Sequence, residues 1–303
     1  MMAFSALVEP LRAANQISGR ELYSWNLVSA DDAPIRASNG FELTPTRRFD
    51  HDPEVDRVVV CSGGDAERLF AREAIGWIRG QLRRGADIGA VADAAFVLAR
   101  AGLLDGYRCT LHWTSQPAFS ETFPKVLLER SLFVIDRDRF TSLGGVGSLD
   151  MQLAMIERDY SLELAHAVAD WFAHATLRTP DARRQMPLNL RRGIRNRLVL
   201  ACVAEIEARP DMPFSVAELA ARQRVSPDTL ERAFRIELGQ PPGQFFRGLR
   251  LRHGRSLIEH SDMPIREVAL ACGYADQAAF SRAFRSKFGV APVEVRAGVT
   301  VLR

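Results

Sequence analysis

Apolar positions recur with two periods along this chain, and the change of period divides it. Through about residue 178, short apolar runs alternate with stretches of helical period. Strands are expected at Trp25–Ser29, Arg57–Cys61, Asp87–Val91, Arg108–His112, Leu132–Asp136 and Arg139–Ser142. Helices are expected at Ala3–Ile17, Ala66–Arg84, Ala94–Ala101 and Leu149–Leu177. That alternation implies an α/β domain over residues 1–178 with a largely parallel sheet. Residues 179–193 carry two prolines, four arginines and no apolar period, and read as a linker. From there only helical periods remain, starting with a helix at Arg195–Arg209, so residues 194–303 are expected to be all-α.

The helical part contains a repeat. Residues 230–242 read L-E-R-A-F-R-I-E-L-G-Q-P-P, and residues 280–292 read F-S-R-A-F-R-S-K-F-G-V-A-P. Arg232, Ala233, Phe234, Arg235, Gly239 and Pro242 recur as Arg282, Ala283, Phe284, Arg285, Gly289 and Pro292. Upstream, Val216-Ala217-Glu218-Leu219-Ala220 parallels Ile265-Arg266-Glu267-Val268-Ala269, so the second turn is one residue longer. Each copy reads as helix, turn, helix (215–239 and 264–289). Ser215 with Glu218 makes a capping box, Ser226 caps a second helix that opens with Pro227, and Gly239 ends it. Leu230, Phe234 and Leu238, and then Phe280, Phe284 and Phe288, face inward. The outward stripes are Asp228, Glu231, Arg232 and Arg235, then Ala278, Ser281, Arg282 and Arg285, with Asp276 and Gln277 at the second helix start. Between the copies, Pro241–His260 is long enough for a helix of about 30 Å, close to one turn of B-DNA at roughly 34 Å.

Charge sharpens the division. The whole chain carries 40 basic and 37 acidic residues, a net +3. Residues 214–303 hold 14 Arg+Lys against 9 Asp+Glu, +5, which leaves the front at 26 against 28, −2. A basic module on a slightly acidic body suits a polyanion partner, although a solvated basic surface gives the same count. Any one of the arginines reads equally well as a surface ion pair; the R-A-F-R repeated in register argues for a shared task. Arginine, glutamine and serine on such a face suit the base edges and phosphates of a major groove. No run of about 18 uncharged apolar residues exists; Val91–Leu104 is interrupted by Asp93 and Arg100. The N-terminus lacks the basic segment of a secretory signal. Cys61, Cys109, Cys202 and Cys272 are scattered and read as reduced cytoplasmic thiols. No metal site or cofactor is expected.

Residues 214–296 resemble the DNA-binding domain of AraC/XylS-type transcription regulators. The stretches that carry the resemblance are S-V-A-E-L-A, R-V-S-P-D-T-L-E-R-A-F-R-I-E-L-G, L-R-L-R-H-G-R-S-L-I, I-R-E-V-A-L-A-C-G-Y and F-S-R-A-F-R-S-K-F-G-V-A-P. The resemblance implies promoter DNA and RNA polymerase as partners, an activator's role, and DNA contacts from Ser226, Asp228, Thr229, Glu231, Arg232, Arg235, Asp276, Gln277, Ala278, Ser281, Arg282 and Arg285. Asp228 stands where the family often has Arg, and Ala278-Ala279 where it often has Ser and an aromatic or His, so base preference does not carry over.

In the front domain, I-G-A-V-A-D-A-A-F-V-L-A over 88–99, followed by A-G-L-L-D-G and T-L-H-W, resembles the PfpI / class I glutamine-amidotransferase-like domain, a flavodoxin-like α/β fold. In that family's enzymes a cysteine occupies the strand-to-helix elbow, where this chain has Ala92. His112, Glu9 and the Gly63-Gly64 turn match the family's other site positions. A methyl group cannot act as nucleophile, and Asp93 sits one position out of register, so no hydrolase activity is expected. Glu9 and His112 read equally as a hydrogen-bonded structural pair or as the lining of a reused pocket. The pocket, with Glu9, Gly63, Gly64, Asp93 and His112, has two carboxylates that favour an amine or guanidinium ligand.

The two domains together resemble the GlxA-type branch of AraC regulators. V-E-P-L-R-A-A-N-Q-I-S-G-R-E-L-Y-S-W is similar to members tied to catabolism of amino acids and quaternary amines. That resemblance implies a cytoplasmic, dimeric regulator, with a small amine or amino-acid-like effector bound in the front domain. A constitutive dimer, or an amidase tethered to DNA, are the competing readings. Relatives begin with an apolar strand before the helix holding Glu9, whereas Met1 here starts inside that helix; a late start codon or a truncation is expected.

Overall fold

The computed structural model describes residues 1–49, 54–62, 66, 72–174, 177–179, 194, 196–208 and 215–297. The chain forms two compact units, Met1–Arg184 and Gln185–Arg303.

In the first unit the main sheet has four strands, in the order β5 (Arg57–Ser62), β6 (Asp87–Ala92), β10 (Arg139–Ser142), β9 (Phe133–Asp136). β5, β6 and β10 are mutually parallel, and only the β9–β10 hairpin is antiparallel. Arg137, at φ 57, turns that hairpin. The smaller ladders pair β1 (Val28–Ser29) with β4 (Arg47–Arg48), β2 (Ile35–Arg36) with β3 (Glu42–Leu43), and β7 (Arg108–Cys109) with β8 (Leu127–Leu128). Helices α1 (Met2–Ser18), α5 (Val146–Asp159) and α6 (Leu162–Trp171) form one layer. Leu7 of α1 and Met151 and Met155 of α5 bury against Val91, Phe133 and Phe140 of the sheet. Ala13, Ala14, Leu153, Ile156, Ala165 and Val168 seal the three helices to one another. Helices α2 (Arg72–Arg83), α3 (Ala95–Arg100) and α4 (Gln116–Thr122) complete the domain.

Three expectations need correction. The long helix at Leu149–Leu177 is two helices: Ser161 takes an extended conformation and its hydroxyl accepts from Leu164 N, so a new helix starts there. The strand at Arg108–His112 is only two residues long, because Thr110 turns its hydrogen bonds to side chains and loops: its N–H donates to Thr141 Oγ1 and its hydroxyl to the Ser131 carbonyl. Trp25–Ser29 contributes only Val28–Ser29, paired to β4 and not to the main sheet. Of the helix expected at Ala66–Arg84, residues 67–71 lie outside the described residues.

One ion pair ties the layers together. Both terminal guanidinium nitrogens of Arg57, at the start of β5, donate to Asp159 at the end of α5, and the Tyr23 hydroxyl donates to Asp159 at 3.0 Å. Burial alone pushes the Asp159 carboxyl up, but the Arg57 hydrogen bonds and charge, with the Tyr23 hydroxyl, hold it below its ordinary value. A carboxyl depressed in the folded state contributes stability that is complete above the unfolded value near 4 and is lost as pH falls through the folded value. Asp159→Asn is therefore expected to cost about 2 kcal/mol at neutral pH. Thermal unfolding of the two proteins should differ at pH 7 and converge as the pH is taken well below 4.

The second unit opens with α7 (Arg197–Ala208), whose start is capped by Asn196. The first copy of the repeat follows as α8 (Val216–Arg222) and α9 (Pro227–Leu238), with α7 packed over it through Val199, Cys202, Val203 and Ile206 against Leu219, Leu230 and Phe234. The expected caps form: Ser215 and Glu218 exchange both capping-box bonds, Ser226 Oγ accepts from Thr229 N, and Gly239 ends α9 at φ 68. A 19-residue helix, α10 (Pro242–His260), leads to the second copy, α11 (Ile265–Ala271) and α12 (Gln277–Phe288), and then to α13 (Pro292–Arg296). Thus α10 stands to the second copy as α7 stands to the first.

The turn between the paired helices needs a left-handed residue in both copies. The second copy uses Gly273 at φ 72; the matching residue of the first is Arg224, at φ 57. A side chain in that conformation costs roughly 1–2 kcal/mol, against less than about 1 kcal/mol for the extra unfolded-state freedom of glycine. Arg224→Gly is therefore expected to stabilise the second unit by about 0.5 kcal/mol, read as a higher urea midpoint.

Candidate functional sites

The second unit presents two similar polar helix faces. Leu230, Ala233 and Phe234 turn α9 inward, and Phe280 and Phe284 do the same for α12. The opposite faces stand in solvent: Ser226, Asp228, Arg232 and Arg235 are exposed and Thr229 and Glu231 half-buried; Asp276, Gln277, Ala278, Arg282 and Arg285 are exposed and Ser281 half-buried. Two of these side chains also hold the helices, since Ser226 and Asp276 are the N-caps of α9 and α12. Two arginines share acids, Arg235 with Glu231 at 3.8 Å and Arg285 with Glu294 at 3.7 Å. Arg232 and Arg282, equivalent in the repeat, make no ion pair among the described residues. The 19 residues of α10 span about 28 Å between the two motifs.

The first unit's candidate site lies at the carboxyl ends of the parallel strands, where open α/β sheets bind ligands. β6 ends at Ala92, whose φ of 55 gives the sharp strand-to-helix elbow. A non-glycine residue in this region stores strain of about 1 kcal/mol and persists only where its surroundings enforce it. After β10, Gly144 at φ 92 passes so close that a Cβ on it would sit 2.9 Å from the Ala92 methyl. Asp93 is buried and its Oδ1 has no hydrogen-bond partner; Ser115 Oγ, at the start of α4, is likewise buried and unpartnered. His112 Nδ1 is 2.7 Å from Thr114 Oγ1, and the exposed Trp113 ring lies 5.6 Å from the imidazole. Glu9 is half-exposed on α1 and accepts from Arg12 Nε at 2.8 Å, an ion pair within its own helix. Gly63 and Gly64 lie outside the described residues. Nothing in the spacing around Ser115 distinguishes it from an ordinary helix cap, so the sequence does not single it out. Burial pushes the Cys109 and Cys202 thiols up to about 12, so neither offers a thiolate near neutral pH. Among the described residues no three His, Cys, Asp or Glu side chains cluster as metal ligands, and no helix is long and apolar enough to cross a membrane.

Two tandem helix-turn-helix motifs behind a flavodoxin-like α/β domain define a DNA-binding transcription regulator. The comparisons with known proteins agree. The DJ-1/PfpI family pattern matches residues 5–158, and a helix-turn-helix domain pattern matches residues 219–298. The HTH-type transcriptional regulator GbdR of Pseudomonas aeruginosa is 39% identical over 298 residues, which cover 98% of this chain and 81% of the relative. The HTH-type transcriptional regulator GlxA of Rhizobium meliloti is 34% identical over 297 residues, 98% of this chain and 92% of the relative. The front domain alone is 29% identical over 146 residues to an isonitrile hydratase of Pseudomonas putida, 47% of this chain and 62% of that enzyme. Among solved structures, an AraC family transcriptional regulator from Pseudomonas putida is similar with a TM-score of 0.50 and 26% identity, over 57% of this chain and 92% of that one. The chain belongs to the AraC-family transcriptional regulators of the GlxA and GbdR type, which carry a DJ-1/PfpI domain ahead of the DNA-binding domain.

Proposed function

We propose that this regulator senses a small amine or amino-acid-like metabolite in residues 1–178 and reads promoter DNA with residues 194–303, the front domain having lost its catalysis. The observation that carries the sensor half is Ala92: the strained elbow persists while its side chain offers neither thiol nor hydroxyl. The unpartnered oxygens of Asp93 and Ser115 favour a ligand with hydrogen-bond donors, and a cationic one suits the carboxylate. In this reading His112 belongs to the same pocket, and Glu9 joins it by giving up its pair with Arg12. On the DNA side, α9 and α12 each enter a major groove, with α10 spacing them along one face of the duplex. Ser226, Asp228, Thr229, Glu231, Arg232, Arg235, Asp276, Gln277, Ala278, Ser281, Arg282 and Arg285 make the contacts. The protein acts as a cytoplasmic homodimer joined through its front domain, with RNA polymerase its partner at the promoter.

Two experiments test this reading. Genome-wide DNA occupancy, with and without candidate amines, should return discrete promoters. A thermal-shift titration with arginine, betaine and carnitine should raise the unfolding midpoint with concentration for a true effector. No shift with any amine favours a constitutive dimer. Turnover of amide, ester or nitrile substrates that Asp93→Ala abolishes would overturn the non-enzymatic reading.

A further inference from the structure

We propose that Asp150 is a latch on the chain leaving the first unit, and that helix α5 carries the state of the elbow to it. The proposal names the regulatory route of the sensor site and so rests on the reading that this site holds a ligand. Its test uses chemistry at the elbow and needs no effector.

The route begins at Ala92. A Cβ on Gly144 would sit 2.9 Å from its methyl, and Gly144 and Gly145 immediately precede α5 with φ of 92 and 54. Both are conformations that a side chain resists, so any added bulk at the elbow meets a backbone hinge at the root of α5. Just beyond, the buried Ser142 and Ser148 hydroxyls pair at 2.8 Å, and Gly144 N donates to Ser142 Oγ at 3.3 Å, which joins the hinge to the first turn of the helix. One turn past Val146 stands Asp150, whose side chain is fully buried. Its Oδ1 lies 2.9 Å from His174 Nε2 and accepts from Arg178 Nε at 3.1 Å; its Oδ2 accepts from Arg178 Nη2 at 2.6 Å.

Every one of these partners comes from the segment that leaves α6. Among the described residues Asp150 has no other hydrogen bond or ion pair. A buried carboxylate stripped of its partners is strongly unfavourable, so the exit segment stays seated while Asp150 keeps its place. A shift of α5 by a fraction of a helical turn misaligns the bidentate pair with Arg178, because a planar fork tolerates little displacement. The latch therefore stands one turn along the rigid helix whose root meets the elbow. Arg178 stands immediately ahead of residues 179–193, the stretch leading to the DNA-binding unit, which contains Arg183, Arg184, Arg191 and Arg192.

Those four arginines make the latch measurable by limited trypsin digestion of the full-length protein. Arg178→Gln and, as a second way of opening the latch, Asp150→Asn are expected to raise the cleavage rate in 179–193 at least fivefold, with far-ultraviolet circular dichroism unchanged. For the elbow, Ala92→Cys is purified folded and then alkylated with N-ethylmaleimide, with the equally treated parent as control for Cys61, which is exposed. Alkylation is expected to raise cleavage to the level of Arg178→Gln, and to add nothing further in the protein that carries both Ala92→Cys and Arg178→Gln. Unchanged cleavage in both latch variants means that no latch exists. Faster cleavage in them with no effect of alkylation, or fully additive effects, means that α5 does not connect the latch to the elbow. Either result overturns the proposal. An amine that raises the thermal midpoint while alkylation leaves cleavage unchanged sinks the route and spares the pocket; the converse spares the route.

Discussion

Replacing Arg232 and Arg282 together with alanine is expected to weaken binding to a native promoter fragment by about 2–6 kcal/mol, roughly 30-fold to 10⁴-fold. Each arginine that reads a base contributes on the order of 1–3 kcal/mol, and separate helices reading separate grooves should contribute additively. These two are the choice because they occupy the same place in the two copies and make no ion pair among the described residues. Arg235 and Arg285 each share an acid, Glu231 and Glu294, and must loosen that contact to reach DNA, so their single variants should lose less. Gel-shift titrations over a range of salt separate the modes of contact. Loss of a base contact relaxes sequence preference and leaves the salt slope nearly unchanged, whereas loss of a phosphate contact lowers the slope by about one per arginine. A double variant that retards the fragment as the parent does would remove both helices from the interface.

Gly89→Ala should be the most damaging single methyl in the front domain. Gly89 lies in the middle of β6, directly across from Phe140 of β10, and the Phe140 ring lies over it. A Cβ there would stand 2.1 Å from the ring. The ring cannot simply step aside, because it also packs with Val91, Leu132, Phe133, Met151 and Met155. Overpacking of a close-fitted core typically costs about 1–3 kcal/mol, and a contact this short belongs at or above the upper end. The same change at Gly76 or Gly80 on α2, where the added methyl meets nothing within 4 Å beyond the local backbone of its own helix, should be neutral or stabilising by up to about 1 kcal/mol. Thermal unfolding of the three variants tests the contrast. A Gly89→Ala protein with the parent's midpoint would mean that the sheet relaxes around the methyl.

Much of the DNA-binding unit was legible in sequence because its rules are local. The capping box at Ser215, the cap at Ser226, the proline that opens α9 and the glycines that end α9 and α12 all act within four residues. The break at Ser161 is hidden in sequence because apolar periodicity continues across it, while the cap that starts α6 is a single hydroxyl. In the front domain the elbow was visible as a strand-turn-helix pattern centred on Ala92. The surroundings of its candidate ligand-binding residues were not: Glu9 turned to Arg12, and Asp93 and Ser115 emerged with unpartnered oxygens. Whether a polar side chain finds a partner depends on the neighbours that packing brings, which spacing along the chain does not encode.

The sequence by itself determined the twin motif, its outward arginines and a front domain without a nucleophile at its elbow, because periodicity, capping and side-chain chemistry are properties of short segments. Only the tertiary structure decided that Arg57 meets Asp159 across 102 positions and that Arg178 meets Asp150 across 28. It also decided that Gly144 closes on Ala92. Those contacts depend on where whole elements come to rest, and that is set by the burial of their apolar faces against one another.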